Sequence, residues 1–178
     1  MKQLILNNGD AVVLRKARRT DAYEILEYVN TISSESDYLT FGQGEFMMSV
    51  EQEEAFLEDT SKRNNAIYIV AEIGEKIVGS LSFSAGTRPR KAHTGEFGVS
   101  VLKEHWRKGI GTELIQYMIE WCKQTKIIRK VNLIVRNDNL SAIHLYNKLG
   151  FSQEGVIRRD LQINGIFYDA LFMGYTVD

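Results

Sequence analysis

The chain has 178 residues, 44% of them hydrophobic and 25% charged, and Lys+Arg 22 against Asp+Glu 23 leaves a formal net charge of -1. A chain of this length buries the core of a single domain, 1–178, and it shows no repeat, linker or low-complexity segment. The near-neutral balance argues against nucleic acid or an anionic membrane as a partner. The lone cysteine excludes an internal disulfide, and no apolar run approaches the ~20 residues of a membrane span. The start, Met1 to Gly9, carries too short an apolar run for a signal peptide. The expectation is a cytoplasmic protein.

In chain order, Asn8-Gly9 between Leu4–Leu6 and Ala11–Leu14 predicts an opening hairpin. Thr20-Asp21 caps a first helix with Ala22, Ile25, Leu26 and Val29 on one face. Residues 31–48 have no clean period: a polar stretch from Ser33 to Asp37 precedes Tyr38, Leu39, Phe41, Phe46, Met47 and Met48. Ser49 and Gln52 have capping-box spacing for a second helix to about Ser61. Ala66–Ile73 and Ile77–Ala85 are strands joined by Gly74-Glu75-Lys76, and a loop with the only proline, Pro89, leads to a strand at Thr94–Val101. Leu114, Ile115, Met118, Ile119 and Cys122 form one helical face, which makes Cys122 a core residue. Val131–Val135 is a short apolar strand. A helix over Asn139–Leu149 stops at Gly150, and Val156–Ile163 with Ile166–Val177 forms a final hairpin about Asn164-Gly165.

The most informative stretch runs from Glu96 to Lys123, a strand that turns directly into a helix. Arg107-Lys108-Gly109-Ile110-Gly111-Thr112 puts two glycines and two cations where that helix begins. Free backbone N–H groups and the positive end of the helix dipole suit such a turn to phosphate. A P-loop needs four residues between its glycines, and the dinucleotide fingerprint needs a third glycine where Leu114 stands, so both fail on spacing. The three histidines, His93, His105 and His144, have no spacing that supports a metal site or a catalytic triad.

The turn resembles the acetyl-CoA-binding segment of the GNAT superfamily of N-acetyltransferases, Gln/Arg-x-x-Gly-x-Gly/Ala, with Gly109 and Gly111 in the glycine positions. Trp106 departs from the pattern at its first position, and Arg107 supplies a charge one place later. A second segment matches the family's later helix, Asn-x-x-Ala-x-x-x-Tyr-x-Lys-x-Gly-Phe, at every position: Asn139, Ala142, Tyr146, Lys148, Gly150 and Phe151. The resemblance covers roughly the region from Ile67 to Tyr175. It implies an α+β GNAT fold with a mixed, mostly antiparallel sheet flanked by helices. The implied activity is direct transfer of the acetyl group of acetyl-CoA, the cosubstrate, to a primary amine in a ternary complex. The alternative is an acyl-CoA-binding sensor without turnover, and a purely structural module would require both motifs to be coincidence.

By the same resemblance, the backbone of Val99, Ser100 and Val101 pairs with the pantetheine arm and points one N–H at the thioester oxygen. Arg107, Lys108, Gly109, Ile110, Gly111 and Thr112 hold the phosphates, and Asn139, Ala142 and Tyr146 share the facing side of the later helix. Tyr146 aligns with the general acid; the competing interpretation is a core aromatic. An amine of pKa ~10.4 is about one part in a thousand neutral at pH 7, so a base is needed. Glu96, on the strand face of Gly98 and Ser100, is the candidate, directly or through water, and as a surface glutamate it would be equally ordinary. Glu35, Asp37 and Tyr38 lie where family members build the acceptor pocket. Polyamines, aminoglycoside-like amines, amino acids and protein N-termini all remain compatible acceptors, with specificity expected in 31–48 and 158–168. The C-terminal hairpin is a candidate homodimer contact. No metal is implied.

Overall fold

The computed structural model describes residues 1–6 and 9–178. An opening pair, β1 (Lys2–Ile5) and β2 (Ala11–Lys16), is antiparallel; Asn8 of its expected turn lies outside the described residues. Two helices follow, α1 (Ala22–Glu35) and α2 (Val50–Lys62). α2 starts where its capping box predicts: Gln52 N–H donates to Ser49 Oγ (3.2 Å), and Ser49 N–H donates to Gln52 Oε1 (2.8 Å). Strands β3 (Ala66–Ile73), β4 (Lys76–Ala85) and β5 (Thr94–Val101) form a meander. Then come α3 (Ile110–Thr125), β6 (Lys130–Arg136), α4 (Leu140–Lys148), β7 (Ser152–Ile163) and β8 (Ile166–Thr176).

The eight strands form one sheet in the order β1-β2-β3-β4-β5-β6-β8-β7. Every neighbouring pair is antiparallel except β5 and β6, which the α3 crossover makes parallel. This is the mixed, mostly antiparallel sheet of an α+β GNAT fold. α3 lies on one face, where Ile110 and Leu114 come so close to Gly79 of β4 that a Cβ there would stand 3.3 Å from each. α1 and α2 cover the other face, with Tyr28 of α1 bonded to Ser100 of β5 and Phe56 of α2 edge-on to Tyr68 of β3. Phe83, Leu114, Met118, Cys122 and Leu133 are buried in the core between sheet and helices.

One interruption divides the sheet. β5 and β6 pair only at Thr94–Lys130, Gly95–Val131 and Glu96–Asn132. Beyond that rung β5 stays with β4 as far as Val101, while β6 stays with β8 as far as Arg136. The sheet therefore divides into two halves that part after Glu96. A parallel pair that stops early leaves unpaired backbone on both inner edges, which is rarely left unused.

Candidate active site

The gap between β5 and β6 opens into a cavity of about 1120 Å³. Its floor follows from strand alternation. Leu102 N–H donates to Val78 O (2.9 Å), so Ser100 and Gly98, which share its parity, also turn their backbone groups toward β4. Phe97, Val99 and Val101 turn theirs into the gap. At the far end the Trp106 indole N–H donates to Val101 O (2.7 Å) and closes the strand edge. That bond accounts for the indole at the position where the family pattern has Gln or Arg. Ser100 differs from its two neighbours: its backbone belongs to β4, and its hydroxyl pairs with Tyr28 at 2.8 Å on the α1 side.

The turn into α3 forms the second wall. Arg107 (φ 61°) and Gly109 (φ 88°) both adopt the left-handed conformation, which is costly for arginine and free for glycine. Alternating hands fold successive N–H groups into a concave anion-binding nest. Glu113 N–H is the first to bond back within the helix, to Gly109 O at 3.1 Å, so the N–H groups of Ile110, Gly111 and Thr112 precede the hydrogen-bond ladder. Arg107, Gly109, Ile110, Gly111 and Thr112 line the cavity. Lys108 does not; its Nζ lies 3.4 Å from His105 Nδ1. Gly109 is required by its backbone angle. Gly111 is not: a Cβ there would meet only Val101 Cγ2, at 3.9 Å, an ordinary contact. What the absent side chain leaves open is cavity.

α4 forms the third wall. Asn139 accepts from Ala142 N–H (3.3 Å) and caps the helix, and Gly150 (φ 93°) ends it. Asn139, Ala142 and Tyr146 all line the cavity, the shared face that their spacing predicts. The Tyr146 ring is wedged between Phe97 (6.1 Å between centroids) and Phe151 (6.0 Å), and the residue is only 9% exposed. Its hydroxyl has no hydrogen-bond partner among the described residues. Burial pushes its pKa up to about 12, so the proton stays on the oxygen throughout the neutral range.

Glu96 occupies the last paired rung, opposite Asn132, where the two half-sheets part. It is exposed on the face shared with Gly98 and Ser100, and it is not among the side chains lining the cavity. Partial desolvation first, and the Asp160 carboxylate second, raise its carboxyl above the ordinary range. Beside it, Asn132 donates to Thr94 Oγ1 (3.1 Å), while its Oδ1 is buried and unpaired among the described residues.

The remaining wall lies where the resemblance puts the acceptor pocket: Glu35 and Tyr38 line it, and Asp37 does not. The segment between α1 and α2 folds over the sheet and is tied down by Arg136, whose guanidinium stacks between Tyr38 (4.5 Å) and Tyr168 (4.1 Å). Arg136 also donates to both oxygens of Asp138 (2.6 and 2.9 Å) and to Asp37 O (3.1 Å). Glu35 accepts the Lys103 N–H (2.8 Å), holding α1 to the chain leaving β5. Glu53 of α2 joins the same wall and is buried. Spacing could not have linked these residues, because they meet only through tertiary packing. No group of three or more His, Cys, Asp or Glu is arranged to hold a metal among the described residues.

The profile of the acetyltransferase (GNAT) family matches residues 29–151. The Escherichia coli L-amino acid N-acetyltransferase AaaT is 34% identical over 105 residues, which are 59% of this chain and 65% of that enzyme. A solved Streptococcus pneumoniae acetyltransferase of the GNAT family superposes with a TM-score of 0.91 at 31% identity, covering 94% of this chain and 99% of that one. The fold is shared with Salmonella typhimurium yncA, solved with its cofactor acetyl-CoA, at a TM-score of 0.82 and 20% identity over 94% of each chain. A sheet that parts after Glu96, a glycine nest at the head of α3 and a profile match over most of the chain agree: this protein belongs to the GNAT family of acetyltransferases.

Proposed function

We propose that this acetyltransferase moves the acetyl group of acetyl-CoA directly onto a primary amine of a small molecule or peptide, with both substrates bound at once. One observation carries the proposal. A single cavity connects the α3 nest, the unpaired edge of β5 and the unpartnered Tyr146 hydroxyl. Bound acetyl-CoA supplies an acyl carbon open to attack and a thiol leaving group.

The chain's own residues do the rest. The nest N–H groups from Gly109 to Thr112, with Arg107, take the pyrophosphate. Lys108, turned toward His105, is left for an outer phosphate. The Val99 and Val101 backbone pairs with the pantetheine amides, and one N–H in the gap stabilises the oxygen that becomes negative. Ala142 leaves room along α4, and Asn139 fixes that helix's start. Glu96, at the mouth of the gap, receives the amine proton directly or through water, and its raised pKa brings it nearer neutral pH, where a base works best. The nitrogen–carbon bond forms as the carbon–sulfur bond breaks, and Tyr146 gives its proton to the departing sulfur. The proposal extends to a homodimer through the β7–β8 hairpin, where Val156, Ile166 and Phe167 are exposed.

The test is thiol release from acetyl-CoA across a panel of amines, including amino acids, after the name of the Escherichia coli relative. Amine-dependent release with matching acetylated product is expected. Acetyl-CoA binding without release on any amine would leave a sensor instead.

A further inference from the structure

The cavity wall built by α1, the segment to α2, α2, β3 and β4 contributes no Lys, Arg or His. It contributes aromatic and aliphatic side chains, Phe41, Phe46, Met48 and Phe56 among them, and two carboxylates, Glu35 and Glu53. Glu35 is occupied by the Lys103 N–H. Glu53 is 3% exposed, faces the cavity, and has no hydrogen-bond or ion-pair partner for its side chain among the described residues. Desolvation alone raises its carboxyl, with no cation pulling it back. An ionised carboxylate buried in this way is unfavourable unless it takes up a proton or something charged arrives to pair with it.

Its position says what arrives. α2 packs on β3, and Phe56, one turn beyond Glu53 on the same helix, stands edge-on to Tyr68 of β3 at 6.2 Å. Tyr68 is in register with Ser82, and Ser82 with Gly98 of β5. At ~4.8 Å per strand, β3, on which α2 packs, lies about 10 Å across the sheet from β5, the strand that borders the gap. We propose that Glu53 is the specificity residue that binds a second, cationic nitrogen of the acceptor, so that the preferred substrate is a diamine whose apolar spacer lies along the aromatic wall. This rests on the acetyl-transfer function proposed above.

The test compares wild type and Glu53→Gln on diaminobutane and n-butylamine, read by thiol release at varied amine and acetyl-CoA. Wild type is expected to show a KM for diaminobutane at least about tenfold below that for n-butylamine, the factor that one modest charge pair supplies. In Glu53→Gln the two KM values converge, while those for n-butylamine and acetyl-CoA stay put. Without amine, the variant's thermal midpoint is expected at or above that of wild type, because an unpaired buried charge has gone. An unchanged KM ratio would overturn the inference and leave acetyl transfer standing. A variant that melts lower or fails to fold would also overturn it, by showing that Glu53 serves an internal partner. No amine-dependent release by wild type would overturn both.

Discussion

Tyr146 separates packing from chemistry within one side chain. Its ring is held by Phe97 and Phe151, and its hydroxyl is held by nothing. Tyr146→Phe is therefore expected to keep the fold and the dissociation constant for acetyl-CoA, while kcat falls by about 10²-fold if the hydroxyl protonates the sulfur. Calorimetry and single-turnover thiol release check the two halves separately; full kcat with chemistry rate-limiting would make the tyrosine structural. Glu96 invites a pH measurement. Its raised carboxyl means that the base form is lost at a higher pH than for a free glutamate, so activity should fall as pH drops through that raised value. Glu96→Gln should lose most at neutral pH and recover as rising pH deprotonates the amine unaided. A profile parallel to wild type would assign the proton to another acceptor.

At the scale of elements, the β5–α3 turn can be tested without disturbing the fold. The Gly111 site is open toward the cavity, so Gly111→Val should leave the thermal midpoint within about 3 °C of wild type, the effect of roughly 1 kcal/mol in a chain this size, yet weaken acetyl-CoA binding at least tenfold. Loss of stability with binding intact would show that the glycine serves packing. The ion pairs of Arg15 act on a different part of the fold. Arg15 of β2 donates to Asp21 before α1 (2.6 and 2.9 Å) and to both oxygens of Glu72 on β3, tying helix entry to the sheet. Burial alone would raise the Asp21 carboxyl, but the Arg15 side chain and the Arg18 N–H outweigh it and hold the pKa below its usual range. The resulting stability is present above the unfolded pKa of ~3.9 and lost as pH falls through the lower folded value. Asp21→Asn should cost about 2–4 kcal/mol at pH 7, with the gap to wild type closing in acid; an equal gap at both pH values would assign the cost to packing instead.

Across the whole molecule, what could be read in advance was what lies close together in the chain. The Ser49–Gln52 box, the Gly109-x-Gly111 turn and the run from Asn139 to Phe151 are local patterns, and the helices they predict begin and end within a residue or two of expectation. The β5–β6 gap was implied only through family resemblance, because no residue pattern states that a parallel pair stops after its third rung. The acceptor wall was likewise placed only by resemblance, at Glu35, Asp37 and Tyr38, and its contacts were illegible for a related reason: Tyr28 meets Ser100, Arg136 meets Tyr38 and Tyr168, and Glu53 loses its water only when α2 closes over β3.

Direct transfer requires both substrates in one cavity at once, and initial rates with acetyl-CoA and amine varied together distinguish it from a stepwise route. Double-reciprocal lines that converge, with one acetylated amine formed per thiol released, are expected of a ternary complex. Parallel lines, or thiol release that does not depend on the amine, would contradict it.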